Sequence, residues 1–282
     1  MKKLLAAGKP LAAALVACAS ACASMTAYAQ SAGDNVVGLG WFHVMPQDSS
    51  SELTTHVAPT PINTPLRLPS QFTSAGTSLS TKSADTFGLV FTHFFTDHIA
   101  TTFVGGVPPE FELDGHGTIQ PPGPAGALGN QNLDQTNPIV KSVRQWSPAL
   151  IFQYYFNSPT SAFRPFAGIG VSYNFFTNIK LTSGFSNSTQ NNLGAVLAAG
   201  AGKPGPTSVE AKASSSWQPV FNVGATYNFD KHWGLIASLT YIPLKTTSSL
   251  IIKAADGTEL ATTKAKLNAN PLITFVAVSY RF

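Results

Sequence analysis

The stretch WQPVFNVGATYNF, Trp217 to Phe229, alternates along its whole length. Trp217, Pro219, Phe221, Val223, Ala225, Tyr227 and Phe229 fall on one side of an extended chain, and Gln218, Val220, Asn222, Gly224, Thr226 and Asn228 on the other. A period of two marks a strand whose faces meet different surroundings. Its thirteen residues outrun the usual soluble strand of about five or six, whereas a strand tilted through a bilayer needs about 9–11. In a soluble sandwich the amides would face the core and the rings would face water. Lipid outside and an enclosed interior suit both faces.

The same alternation recurs at 146–156, where Trp146, Leu150, Phe152 and Tyr154 oppose Ser147, Ile151 and Gln153, and at 165–177, where Ile169, Val171 and Tyr173 oppose Gly168, Gly170 and Ser172. Further candidates lie at roughly 34–45, 83–96, 98–112, 232–248 and 264–282, which makes eight. The connections alternate between long (46–82, 113–141, 181–215) and short (96–98, 157–163, 230–232), with an intermediate one at 249–263. This predicts an all-β fold: an eight-stranded antiparallel up-and-down transmembrane barrel with short periplasmic turns and long extracellular loops. The chain closes on PLITFVAVSYRF, which sets Tyr280 and Phe282 at the periplasmic rim, where they are the expected signal for the barrel-assembly machinery. Phe94, Phe95, Tyr154, Phe156, Phe163 and Trp233 fall near the same end and predict one aromatic girdle. Trp146, Tyr173, Trp217 and Tyr241 supply the other.

Hydrophobic residues are an ordinary 44% of the chain, but charged ones are only 11%, against about 25% in soluble domains. Residues 1–29 read as an export signal, with Lys2 and Lys3, an apolar stretch from Leu11, and Ala27-Tyr28-Ala29 before Gln30. The barrel then occupies 30–282, where no run of about 18 apolar residues offers a spanning helix, so a membrane crossing requires a closed sheet. Lys2, Lys3 and Lys9 belong to the signal and no acidic residue does; 17 basic residues minus these three leaves 14 against 13 acidic. That near balance gives no ground for a nucleic-acid partner. Cys18 and Cys22 precede the cut, which leaves no thiol chemistry; a lipoprotein-type cut before Cys18 is the alternative and would add a lipid anchor.

The runs GLVFTHFFTDHIA (88–100), SPALIFQYYF (147–156), FRPFAGIGVSYNFF (163–176), NVGATYNFDKHWGLIASLTYIPLKT (222–246) and VSYRF (278–282) resemble the outer membrane protein W family of small porins, which includes alkane-uptake members. The resemblance implies an eight-stranded barrel with a narrow, rather apolar channel that helps small hydrophobic compounds cross the outer membrane. The three long connections depart from the family pattern, being longer and rich in Pro, Gly, Ser and Ala.

No catalytic residue, metal site or cofactor is expected. None of the six His has a Ser at the same-face spacing of two, and His93 and His98, five apart, aim at opposite faces. Gly202-Lys203 is followed by Pro204 where a phosphate loop needs Ser or Thr. The inward sets include Phe42, Val90, Val104, Ile151, Phe166, Val220, Ile236, Ile273 and Phe275. These read either as filling of a narrow barrel or as the lining of a substrate path. Pro148, Pro219 and Pro271, with Pro108, Pro109 and Pro243, fall toward the extracellular strand ends and lack ladder donors. Either the strands project above the bilayer there, or the wall is weak enough for a lateral opening into lipid. LGAVLAAGAGKPG, Leu193 to Gly205, is apolar within an expected aqueous loop, and suits a contact site, an amphipathic cap or a linker. The expected function is passive uptake of small hydrophobic molecules, with those solutes, outer-membrane lipid and the assembly machinery as partners. The alternative is a structural or host-interaction barrel, an adhesin or phage receptor, with no transport role.

Overall fold

The structure is a computed structural model that describes residues 30–282. The proposed export signal and Cys18 lie outside the described residues. Eight strands build the wall: β1 (Asn35–Met45), β2 (Ala84–Phe94), β3 (Ile99–Gly106), β4 (Ala149–Tyr155), β5 (Phe163–Leu181), β6 (Ser216–Asn228), β7 (Trp233–Tyr241) and β8 (Leu272–Arg281). Each pairs antiparallel with its sequence neighbours, and β8 returns to β1, so the sheet closes. Phe282 donates its N–H to the Asn35 carbonyl at 3.0 Å, and Asn35 donates back at 3.1 Å, which fastens the last residue to the first strand. A closed wall leaves no unpaired edge for lipid to meet.

Alternation places the side chains as the period-two reading requires. On β6, Trp217 is 68% exposed and Val223 53%, while Val220 and Asn222 between them are buried. Leu39, Phe87, Phe103, Ile169 and Val276 likewise stand outward from their strands. Bare apolar surface of this extent belongs in a bilayer. Phe95, Tyr154, Phe156, Phe163, Trp233, Tyr280 and Phe282 are exposed around the short-turn end and form the periplasmic girdle. Phe94 is a correction. It is 1% exposed and points inward, in phase with Val90 and Thr92 on β2.

The upper ends of the expected strands require a second correction. Those at 98–112, 146–156, 232–248 and 264–282 are each interrupted, at Val107–Pro109, Ser147–Pro148, Ile242–Leu244 and Ala269–Pro271, where prolines remove ladder donors. Beyond the breaks the chain continues as Glu110–His116, Val140–Trp146, Lys245–Lys253 and Glu259–Asn268. These strands, with Leu53–Val57, Gln71–Ser74 and Ser208–Ala213, carry the sheet structure into an extracellular domain. Its core is separate from the lumen and contains Ile119, Leu133, Phe185, Ile252 and Leu260. The long connections are therefore folded. Leu193–Gly205 begins within one helical run, Ser183–Thr189, Gln190–Gly194 and Ala195–Gly200, and Leu193, Leu197 and Ala198 face this core. Its apolarity is spent inward, which removes the contact-site reading.

Candidate functional site: an apolar cavity in the barrel

The lumen is built in tiers. At the periplasmic end Arg164, on the inward face of β5, is fully buried. Nη1 donates to the Gln30 carbonyl at 2.6 Å, Nη2 donates to the Asp97 carbonyl, and Nε reaches the Phe156 carbonyl at 3.5 Å. The guanidinium also lies 5.3 Å from the Tyr155 ring centre and 5.7 Å from that of Phe94. A buried cation needs such compensation, and here carbonyls and ring faces provide it at contact, with the Asp97 carboxylate adding attraction. The Gln30 side chain fills the remaining space, donating to Asn228 Oδ1 at 3.2 Å and accepting from Thr226 Oγ1 at 3.3 Å. These groups close the floor.

Above them runs a polar belt. Thr92 and Thr102 share a hydrogen bond of 2.7 Å, and Thr102 donates to Gln153 Oε1 at 2.5 Å. Gln153 Nε2 donates to Asn222 Oδ1 at 2.8 Å, and Asn222 Nδ2 donates to Thr240 Oγ1 at 2.9 Å. The belt links β2, β3, β4, β6 and β7 across the interior. Each side chain satisfies the next, so a polar layer sits at low cost in an enclosed space.

A cavity of about 470 Å³ opens at the level of the belt, with Thr92, Thr102, Gln153, Asn222 and Thr240 in its lining, Tyr155 below and Ala149 and Ile242 above. Phe42, Val90, Val104, Ile151, Phe166, Val220, Ile236, Ile273 and Phe275 all line it, so the structure brings together the whole inward set named from the sequence. Phe42 and Phe275 stack with ring centres 4.2 Å apart. Gly88 and Gly224 leave room for the Phe42 and Phe166 rings, which a Cβ at either position would strike. The barrel is thus incompletely filled, and its void is apolar in lining.

The lining also includes Phe103, Trp146 and Phe175, and the rings of Phe103 and Trp146 are exposed on the outer surface. At this place the cavity's lining and the outer surface share residues. The place is a gap between two ladders: β3–β4 pairing ends at Val104 with Ala149, and Glu110–His116 meets Val140–Trp146 only from Glu110 with Arg144. Gly105–Pro109 and Gln145–Pro148 flank the gap, joined by Gln145 N–H to the Pro109 carbonyl at 3.1 Å. Pro108, Pro109 and Pro148 have no N–H to close it. Outside lies a groove bordered by Trp41, Phe87, Val107 and Trp146.

The three prolines named for an opening are dispersed. Pro148 lines the cavity at the gap, its carbonyl accepting from Tyr173 N–H at 3.1 Å. Pro219 sits opposite Val171 in the β5–β6 ladder, and Pro271 accepts from Ile242 N–H at 3.3 Å beside β7. Neither lines the cavity. Arg164, Gln30 and Gln153 were not singled out as site residues, whereas Pro108 and Pro109 were named with the prolines of the weak wall. Arg164 had a signal, being the one charge in the inward phase of β5 before Lys180 near its far end. His93 and His98 serve the short turn, Nδ1 of each lying within hydrogen-bond distance of Asn35 Oδ1 (2.9 Å) and the Tyr155 carbonyl (2.8 Å) respectively.

Two smaller voids continue upward. One of about 60 Å³ shares Val44, Phe111 and Gln145 with the large cavity, and one of about 40 Å³ shares Leu113 and Val140 with that one. Together they lead from the lumen into the extracellular core.

Comparisons with known proteins agree with this architecture. The chain is 26% identical to outer membrane protein W of Vibrio cholerae over 263 residues, covering 93% of this chain and 95% of that protein. It is 24% identical to outer membrane protein W of Escherichia coli over 196 residues, 69% of this chain and 72% of that one. The crystal structure of OprG from Pseudomonas aeruginosa superposes with a TM-score of 0.65 at 22% identity, over 91% of this chain and 99% of that chain. The OmpW family model matches residues 32–282, nearly every described residue, and the chain therefore belongs to the OmpW family of outer-membrane barrels.

Proposed function

We propose that this outer-membrane channel passively takes up small hydrophobic molecules, which enter from the extracellular domain, occupy the apolar cavity and leave sideways into the outer leaflet. The observation that carries this reading is the cavity's lining: downward it meets Tyr155 over the Arg164 floor, and toward the wall it is lined by Gly105–Pro109 and Gln145–Pro148, where the ladder is broken. An apolar solute would lose favourable burial by crossing the polar floor of Arg164, Gln30 and Asn228 and keeps it by passing into lipid. The two smaller voids support entry from above, past Phe111 and Leu113.

The test places a ring in the gap. A Cβ at Gly105 meets only the Phe103 ring, at 3.4 Å, so the position has room to start a side chain, and Gly105→Phe sets a ring beside Phe103 at the edge of the gap. Uptake of a small apolar dye into vesicles containing the variant should slow severalfold, with heat-modifiable gel mobility unchanged. Unchanged dye uptake would remove the lateral route. Equal lipid-to-vesicle transfer with and without the parent protein would remove transport itself and leave the host-interaction reading.

A further inference from the structure

The outward face of the barrel does not stop at the membrane. On β7 the lipid-facing residues are odd-numbered, Leu235, Leu239 and Tyr241, and across the break at Ile242–Leu244 the exposed residue is again odd, Lys245. On the strand before β8 the phase is likewise kept: Lys264 and Lys266 are exposed, and Val276 and Val278 follow in even phase below. The face that meets lipid therefore continues upward as the outer face of the extracellular sheet, with its other side on the domain core.

The part of that face nearest the barrel is one-sided in charge, the carboxylates Glu210 and Glu259 lying farther up the sheet. Thr247 pairs with Lys266, Ser249 with Lys264, and Lys245 with Asn268. Neighbours on one strand face two residues apart are about 7 Å apart, and diagonal cross-strand neighbours about 7–8 Å. Lys245, Lys266 and Lys264 thus form a staircase. Glu210 on the adjacent strand is already engaged by Lys253 at 2.6 Å and Lys212 at 3.2 Å. Among the described residues, none of the three staircase lysines has an ion-pair partner. Unpaired like charges at this spacing are unfavourable in a sheet unless an external anion offsets them.

Height identifies the anion. Lys245 is four residues above Tyr241, at most about 13 Å along the strand. The polar layer of a bilayer is about 5–7 Å thick on each side, so Lys245 stands near its outer limit and Lys266 and Lys264 stand beyond it. A glycerophospholipid headgroup ends too low to meet all three. We propose that this face, centred on Lys245, Lys264 and Lys266, docks the phosphate groups of the phosphorylated glycolipid of the outer leaflet, lipopolysaccharide, holding it against the barrel.

The test uses the folded full chain in detergent micelles, titrated with purified lipopolysaccharide, with the same glycolipid after removal of its phosphates, and with phosphatidylglycerol. Each lysine near an anionic surface contributes about fivefold in affinity, so Lys264→Glu with Lys266→Glu should weaken binding of the phosphorylated glycolipid at least about tenfold. Lys141→Glu with Lys180→Glu changes the net charge equally, on other strands, and should alter binding less than about twofold. If the Glu pair fails the heat-modifiability check, Lys264→Gln with Lys266→Gln replaces it, with a smaller loss in the same direction. Equal losses in the two pairs of variants would reduce the effect to net charge and overturn the proposal. So would equal binding of the phosphate-free glycolipid or of phosphatidylglycerol.

Discussion

Asn222 and Val223 are neighbours in sequence and sit on opposite sides of the wall, the first buried in the polar belt and the second exposed on the outer face. Val223→Arg would put a charge into lipid and should cost about 2–4 kcal/mol if this level is the bilayer midplane. Refolding titrations into vesicles measure it. Asn222→Leu removes the partner of Gln153 and should cost about 1–3 kcal/mol, chiefly through the amide left unpaired. Both facings follow from period two alone, which is why Val220 and Phe275 were legible as lining. Arg164 was legible by the same phase. Gln30 was not, because no periodic pattern marks a residue that enters the floor from the side. In the extracellular domain, Asp48 has one carboxylate oxygen without a partner, and burial pushes its pKa above the ordinary value. An acid whose pKa is raised by folding favours the folded state at low pH, and that contribution is lost as pH rises through the folded value. Asp48→Asn should therefore flatten the acidic part of the domain's stability profile, which hydrogen exchange reports.

At the level of single elements, the strands' existence and facing were readable, and their upper limits were not. Pro243 and Pro271 were visible as donors removed, but the sheet resumes beyond them because the residues that follow regain alternation and find partners in distant connections. Which prolines face one another across the wall depends on register. Val104 pairs with Ala149, which sets Pro148 beside the Gly105–Pro109 segment and leaves Pro219 and Pro271 on other ladders. No property of those prolines in isolation encodes that neighbour. The last strand carries its own expectation. Phe282 exchanges two backbone hydrogen bonds with Asn35 and exposes its ring at the rim. As the proposed assembly signal with Tyr280, it should matter more in cells than in refolding: deletion of Phe282 should reduce folded outer-membrane protein several times more than it reduces refolded yield. Equal reductions in the two settings would count against that role.

Among the described residues the apolar interior falls into three clusters, two within the barrel and one above it. Leu133 is completely buried in the upper one, far from the lumen lining. Leu133→Ala should cost about 2–5 kcal/mol of the domain's stability and leave the heat-modifiable shift of the barrel in place. Protease resistance of the extracellular segments against gel mobility separates the two. The upper core was the least legible part, since it is assembled from short strands and a helical run in segments whose Pro, Gly, Ser and Ala content hides any sustained period.

The proposed sideways exit has a consequence for chain length in a homologous series of solutes. A molecule released into water from a through-pore must be hydrated again before it reaches the next apolar phase, at about 0.8 kcal/mol for each methylene. A molecule handed from cavity to acyl chains avoids that step altogether. The advantage of the lateral exit over an aqueous one then grows about fourfold with every added methylene, until the solute outgrows the cavity. Permeation by such a barrel should rise with oil–water partition coefficient and break off at a molecular volume set by the roughly 470 Å³ between Tyr155 and Phe111. A sieve of this kind sorts first by solubility and only afterwards by size.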